Sequence, residues 1–167
     1  MAGSFDAGCL VVTATRMSAA AEALAGVVDP EIPVLTITDL GIVRRIDVDD
    51  RRVSVDITPT YSGCPAMDAI RQDIEAALSR AGFTQIEVRT VYSPAWTTDW
   101  MSAEGKDKLA EYGIAPPHAT GSPVRPEVLC PRCRETGQVL SEFGSTACKA
   151  LMVCSGCGEP FDYFKEL

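Results

Sequence analysis

The chain has 167 residues, 46% of them hydrophobic and 23% charged, with a formal net charge of −8 and a pI near 4.6. That is the composition of a globular protein with room for one ordinary domain and a small stapled module. An acidic chain with no basic stripe lacks the phosphate-neutralising charge of a nucleic-acid binder, and no stretch approaches the run of about eighteen apolar residues that a membrane span needs.

Residues 1–16 contain only the short apolar run Cys9-Leu10-Val11-Val12 and no basic flank, so they carry no signal-peptide pattern. They are expected to form a disordered tail. Seven cysteines without a secretory signal point to a reducing, cytoplasmic compartment, where thiols coordinate metal rather than cross-link. Residues 18–26 then predict a short helix, with Ser18 as cap and Gly26 as stop.

In Asp29-Pro30-Glu31-Ile32-Pro33 two prolines forbid a regular element. Asp29 and Glu31 can serve there as ligands or bases, or as turn residues that accept backbone hydrogen bonds. Asp39, in Thr38-Asp39-Leu40-Gly41, reads as a turn former. Residues 42–48 and 52–58 alternate or are β-branched and are joined by Asp49-Asp50-Arg51, which predicts a hairpin.

From Pro65 onward, Met67, Ile70, Ile74, Ala77, Leu78 and Ala81 recur at three and four, the period of an amphipathic helix closed by Gly82. Residues 86–92 predict a third strand. Trp96 and Trp100 then present either a partner surface or core side chains. Ser102 caps a helix that runs to Tyr112 and stops at Gly113. Helix, strand, strand, helix, strand, helix predicts an α+β domain over residues 17–117, a three-stranded sheet with helices on one face. A proline-rich linker is expected over 118–125. It begins with His118, the only histidine, so a Cys-His or Ser-His-Asp catalytic system has no support.

Cys64 lies in Ser62-Gly63-Cys64-Pro65, at the joint between the second strand and the long helix. Pro65 suits the first helical position, which leaves Cys64 at or near the cap. A sulfur there faces unpaired backbone N–H groups and the positive end of the helix dipole, both of which favour thiolate. Such a sulfur can bind a soft metal, act as a nucleophile, or simply be a small buried cap residue.

Residues 126–167 hold the strongest motif of the chain, Cys130-Pro131-Arg132-Cys133 and Cys154-Ser155-Gly156-Cys157, separated by twenty residues. Two tight turns that each present two thiolates supply the four ligands of a tetrahedral Zn(II) site, the pattern of a zinc ribbon with one ion per chain. The same sulfur set also suits an Fe(Cys)4 centre. Cys148 is a fifth cysteine in this module: it can replace one of the four paired thiols or remain a buried neutral thiol, and the second is expected because the paired turns already satisfy a tetrahedral ion.

Taken together, Asp29-Pro30-Glu31-Ile32-Pro33, Thr38-Asp39-Leu40-Gly41-Ile42-Val43 and Gly63-Cys64-Pro65 resemble the signature of the iron-sulfur cluster assembly domain family that includes SufT. With Trp96-Thr97-Thr98-Asp99-Trp100, Ser145-Thr146-Ala147-Cys148-Lys149-Ala150 and Pro160-Phe161-Asp162, residues 17–167 as a whole resemble the PaaD family, also called PaaJ. That family is the D component of the bacterial phenylacetyl-CoA epoxidase of aerobic phenylacetate degradation. The resemblance implies an accessory component of this monooxygenase rather than an enzyme. Its task would be maturation, delivering iron or an iron-sulfur cluster to the oxygenase and reductase subunits together with the iron-sulfur assembly machinery.

Cys64 would be the transient ligand, with Asp29 and Glu31 near it. One thiolate cannot complete a cluster that takes four protein ligands, so a homodimer or a docked partner belongs to the expectation. The chain has no ExxH pair of the di-iron kind and no flavin or pyridine-nucleotide motif, in agreement with an accessory role. The competing readings are a structural docking component, in which Cys64 carries no cargo, and a thiol-dependent enzyme, which lacks a general base.

Overall fold

A computed structural model describes residues 7–119 and 127–166, with side chains from residue 14 onward. Helix α1 spans Ala7–Ala25, so residues 7–16, expected as tail, form the first half of this helix. Ser18 is not its cap but an interior residue whose hydroxyl donates to Glu22 Oε1 at 2.9 Å. Between Gly8 and Gly26 the stretch holds no glycine or proline, which lets the helix extend toward the amino terminus. Residues 1–6 and most of the expected linker lie outside the described residues.

Strands β1 (Val43–Asp49) and β2 (Arg52–Ile57) form the expected antiparallel hairpin, turned at Asp50. Helix α2 (Ala66–Arg80) then carries the chain back so that β3 (Gln85–Thr90) pairs parallel to β2. The sheet order is β1-β2-β3. Central β2 buries Val53, Val55 and Ile57 completely, each contributing roughly 1.5–3 kcal/mol relative to exposure. Helix α2 buries Ala66, Ile70, Ile74, Ala77 and Leu78, the three-and-four spacing legible in its sequence. It packs on β3 while α1 packs on β1 and on α2, so both helices cover one face.

Helix α3 (Ala103–Tyr112) starts where the Ser102 hydroxyl accepts the Gly105 amide at 2.9 Å. After it, β4 (Ile114–Ala115) leaves the first sheet and pairs parallel to β7 (Pro160–Phe164) of the second. This sheet has the order β4-β7-β6-β5, with β5 at Gly137–Ser141 and β6 at Lys149–Cys154. The ribbon sheet therefore takes its edge strand from residues expected to end the first domain. Ribbon residues enter the first core as well: Cys148 and Phe164 belong to the α1/α2/β2 cluster, whereas Phe161, Tyr163 and Met152 form a smaller one beside Cys130 and Cys154.

Candidate functional site

The thiols of interest fall into two regions, one at the start of α2 and one on β6. At its carboxyl end, Cys130, Cys133, Cys154 and Cys157 bring their four sulfurs within 4.8 Å of one another. The two turns are built alike, offset by twenty-four residues. Cys130 N donates to Glu135 O at 2.8 Å and Arg134 N to Cys130 O at 3.0 Å; Cys154 N donates to Glu159 O at 3.0 Å and Gly158 N to Cys154 O at 3.1 Å. Each turn closes on a left-handed residue, Arg134 at φ 66 and Gly158 at φ 73.

The amides of Gly156 and Cys157 both point at Cys154 Sγ at 3.4 Å. Chiefly through the Cys157 amide, they lower the pKa of that thiol, the direction a metal-ligating thiolate needs, while its hydrogen-bonded neighbour Cys133 is raised as the pair shares a proton. The sulfur contacts Cys130–Cys157 at 4.0 Å and Cys133–Cys154 at 3.3 Å bracket the ~3.8 Å edge of a tetrahedron with Zn–S bonds of about 2.3 Å. The donor set thus fits one tetrahedral soft ion. No other group of three or more ligating side chains comes this close among the described residues.

The second centre surrounds Cys64. Pro65 takes the cap position of α2 with φ −69 and no side-chain cap, and Cys64 stands one residue before it, half-buried. Its amide donates to Tyr61 O at 3.2 Å. Cys64 lines an open cleft of about 360 Å³ shared with Met67, Arg71, Thr90 and Tyr92. The expected helix-terminus activation does not prevail. Burial raises the Cys64 pKa first, and the charges of Glu31 and Asp29 raise it further, against the lowering by the Ala66 amide. An uncharged thiol results, because burial and the carboxylates around the helix start outweigh the Ala66 amide and the Tyr61 hydroxyl.

Glu31 is itself held above the usual carboxylate range, by burial and then by Asp29. Asp29 is buried and works as a turn residue: Oδ1 accepts the amides of Glu31 at 2.8 Å and Ile32 at 2.7 Å. Tyr61 is pushed up to about 12 by burial and then by the charges of Cys64, Glu31 and Cys148. Asp29, Glu31 and Cys64 are thus neighbours, brought together by the 29–33 loop and the start of α2. Cys148, expected to be a neutral buried thiol, is raised by burial and is held by Thr146 Oγ1 at 3.0 Å. Sequence reasoning placed it only within the ribbon and missed that it packs into the core of the first domain; no local signal marks that position.

The two tryptophans separate. Trp96 is 5% exposed, donates Nε1–H to Leu40 O at 2.9 Å and packs on Phe164, so it is core and not a partner surface. Trp100 is half-buried with the Arg44 guanidinium 3.6 Å over its ring. Its backbone carbonyl would lie 2.2 Å from a Cβ at position 41, and Gly41 has φ +67, so glycine is required there. Asp39 ties this segment to α3. It accepts Thr36 N at 2.9 Å, Ser102 Oγ at 3.2 Å and Lys108 Nζ at 2.7 Å. His118 lies against Glu166 at 3.3 Å and beside the Tyr163 ring.

Fold and sites define a class: an α+β iron-sulfur cluster assembly domain joined to a β-ribbon with a four-cysteine centre. The family model described as iron-sulfur cluster assembly protein matches residues 18–89, and the PaaD zinc beta ribbon domain matches residues 115–165. The chain is 52% identical over 145 residues to the D component assigned to 1,2-phenylacetyl-CoA epoxidase in Escherichia coli (strain K12), covering 85% of this chain and 88% of that one. It belongs to that family, PaaD.

The first domain alone is 40% identical over 85 residues to the Fe-S protein maturation auxiliary factor SufT of Staphylococcus aureus (strain USA300), half of this chain and 96% of that protein. A domain of unknown function from Bacillus anthracis shares the fold with a TM-score of 0.54 and 30% identity, over 60% of this chain and 95% of its own. Among the described residues, no helix is long and apolar enough to cross a membrane.

Proposed function

We propose that the chain is a maturation component of a phenylacetyl-CoA epoxidase system, in which Cys64 transiently carries iron or an iron-sulfur cluster bound for the oxygenase or reductase subunits. The observation that carries this reading is the placement of Cys64. It is a free, half-buried thiol that lines an open cleft, next to Glu31 and Asp29, in the domain shared with auxiliary factors of Fe-S maturation. The cargo is a substrate of the process, separate from the resident ion of the ribbon.

In this reading Cys130, Cys133, Cys154 and Cys157 hold one Zn(II) that staples the ribbon, and the ribbon docks the epoxidase subunits. The rest of the cluster's coordination shell comes from the iron-sulfur assembly machinery, from the recipient subunit, or from a second copy of this chain. The role is accessory rather than catalytic. Loading of iron and sulfide into the reductase subunit, compared between wild type and Cys64→Ser, tests it: impaired loading supports the maturation role, and full loading removes it.

A second reading is a docking component without cargo. One observation favours it: Val139, Leu140 and Phe143 are 54%, 62% and 72% exposed on and beside edge strand β5. In that case Cys64→Ser leaves loading intact, whereas Leu140→Asp or Phe143→Ser abolishes co-purification with the epoxidase subunits.

A further inference from the structure

Among the described residues, the ribbon sheet ends in a free edge. The order β4-β7-β6-β5 makes β5 the last strand, and the segment around Val128 reaches only its start, where Gly137 N donates to Val128 O at 2.7 Å. Further along, the register with β6 slips between Val139 and Ser141, so Leu140 drops out of the ladder. Val139, Leu140 and Phe143 are all exposed. Beside them lies a hollow of about 300 Å³. Buried Met152 and Tyr163 form its floor, Val128 and Val139 extend the apolar lining, and the exposed carboxylates of Glu127, Glu142 and Glu166 form its rim. Lys165 is the one cation among the described lining residues, and it is engaged: Nζ donates to Glu142 O at 3.0 Å and lies 5.1 Å from the centre of the Phe143 ring. The rim is therefore acidic around an apolar floor.

We infer that this face docks an extended, basic segment of a partner protein, in which one large apolar side chain enters the hollow and a lysine or arginine stands two residues to either side of it. The inference deepens the reading that the ribbon docks the epoxidase subunits, and rests on that reading only for which protein carries the segment. A free strand edge offers unpaired backbone groups to an added strand. In such a strand, side chains two apart point to the same face, so the apolar anchor and its two cations meet the hollow and its rim together. Glu127 accepts the Thr136 hydroxyl at 3.1 Å just before β5, and Glu142 follows its end. Thr136 to Glu142 is about 20 Å of strand; two cations four residues apart, ~13 Å plus the reach of two long side chains, span it.

Charge selects this occupant over a second copy of the chain. Two β5 edges brought together would set Glu127 and Glu142 of one copy near the same carboxylates of the other, and like charges across such a contact are unfavourable. A hollow of this size is at the low end of ligand pockets, which suits a side chain rather than a cofactor. Because the slip at Leu140 keeps any backbone pairing short, the anchor and the two rim charges carry the specificity.

The test is fluorescence anisotropy of the full, zinc-loaded chain with two labelled peptides, Thr-Lys-Val-Phe-Val-Lys-Thr and its counterpart with glutamate in place of both lysines. The wild type is expected to bind the lysine peptide, more weakly as salt rises, and to bind the glutamate peptide about tenfold less tightly or worse. Glu142→Lys and Phe143→Ser, each with wild-type circular dichroism and zinc content, are expected to weaken the lysine peptide by about tenfold. A wild type that binds neither peptide, or both alike, overturns the inference, as do folded variants that bind the lysine peptide as wild type does. So does sedimentation showing a dimer of the chain that Leu140→Asp dissociates, which assigns the face to a second copy. Purified oxygenase and reductase subunits are then added to each protein. If the peptide results hold and neither subunit binds the chain, docking of the epoxidase fails and the surface stands. If the subunits bind wild type, Glu142→Lys and Phe143→Ser equally while the lysine peptide does not bind, the inference falls and docking stands elsewhere on the chain.

Discussion

The rings of Trp96 and Phe164 lie 6.2 Å apart at an interplanar angle of 56°, one from the segment after β3 and the other from the last strand of the ribbon. Tilted aromatic contacts of this kind add about 0.5–1.5 kcal/mol to the area they bury. Phe164 is 1% exposed, and Trp96 also commits its indole N–H to Leu40 O. Phe164→Ala is therefore expected to lower stability by about 3–5 kcal/mol and to raise the exchange rate of amides in both β7 and α3. Calorimetry and hydrogen exchange check this; a loss confined to the ribbon would contradict the shared core.

The hairpin, α2 and α3 are legible in the sequence because each is a local device: β-branched alternation, a three-and-four apolar stripe, a serine cap with a glycine stop. Cys130, Cys133, Cys154 and Cys157 are legible for the same reason, since their spacing already states the turn. The rest depends on contacts between distant segments. Two residues of β4 carry no strand signal, and only the partner strand β7 makes Ile114 and Ala115 a strand. Trp96 reads equally well as surface or core until Phe164 covers it. Cys64 reads as an activated thiol until the 29–33 loop brings Glu31 and Asp29 beside it.

Arg134 and Gly158 occupy equivalent left-handed positions in the two cysteine turns, yet only one is glycine. A side chain in this region costs on the order of 1 kcal/mol. Arg134→Gly should raise the melting temperature of the zinc-loaded chain. Gly158→Ala should lower it by a similar step, since nothing lies within 4 Å of the added Cβ and only the backbone conformation opposes it.

Asp39 supplies a pH dependence. Burial alone would raise its pKa, but hydrogen bonds from Lys108 and Thr36 and the Lys108 charge bring it down to about 2. With the folded value below the unfolded one of about 3.9, its stabilisation is complete above pH ~4 and is lost as pH falls toward 2. The contribution is roughly 2 kcal/mol. Asp39→Asn should flatten the stability profile between pH 4 and 2, measured by urea unfolding at fixed ionic strength. An unchanged slope would place the acid sensitivity elsewhere.

Cys133→Ser or Cys154→Ser, or a strong chelator, is expected to melt β5 and the turns around residues 130–136 and 154–159. The small cluster of Met152, Phe161 and Tyr163 is too little core to hold them without the ion. Amide exchange should rise there while β1, β2 and α2 keep their protection. One zinc per chain in a colourless sample identifies the ion; visible absorption would identify iron.

The central claim is that Cys64 handles the cargo, and loading of the reductase subunit measures it most directly. Iron and labile sulfide per reductase are determined after expression with wild-type chain, with Cys64→Ser, and with no accessory chain. The account predicts that Cys64→Ser, folded and with its zinc retained, gives no more loading than the accessory-free control. Loading equal to wild type would contradict it and leave the chain as a docking component.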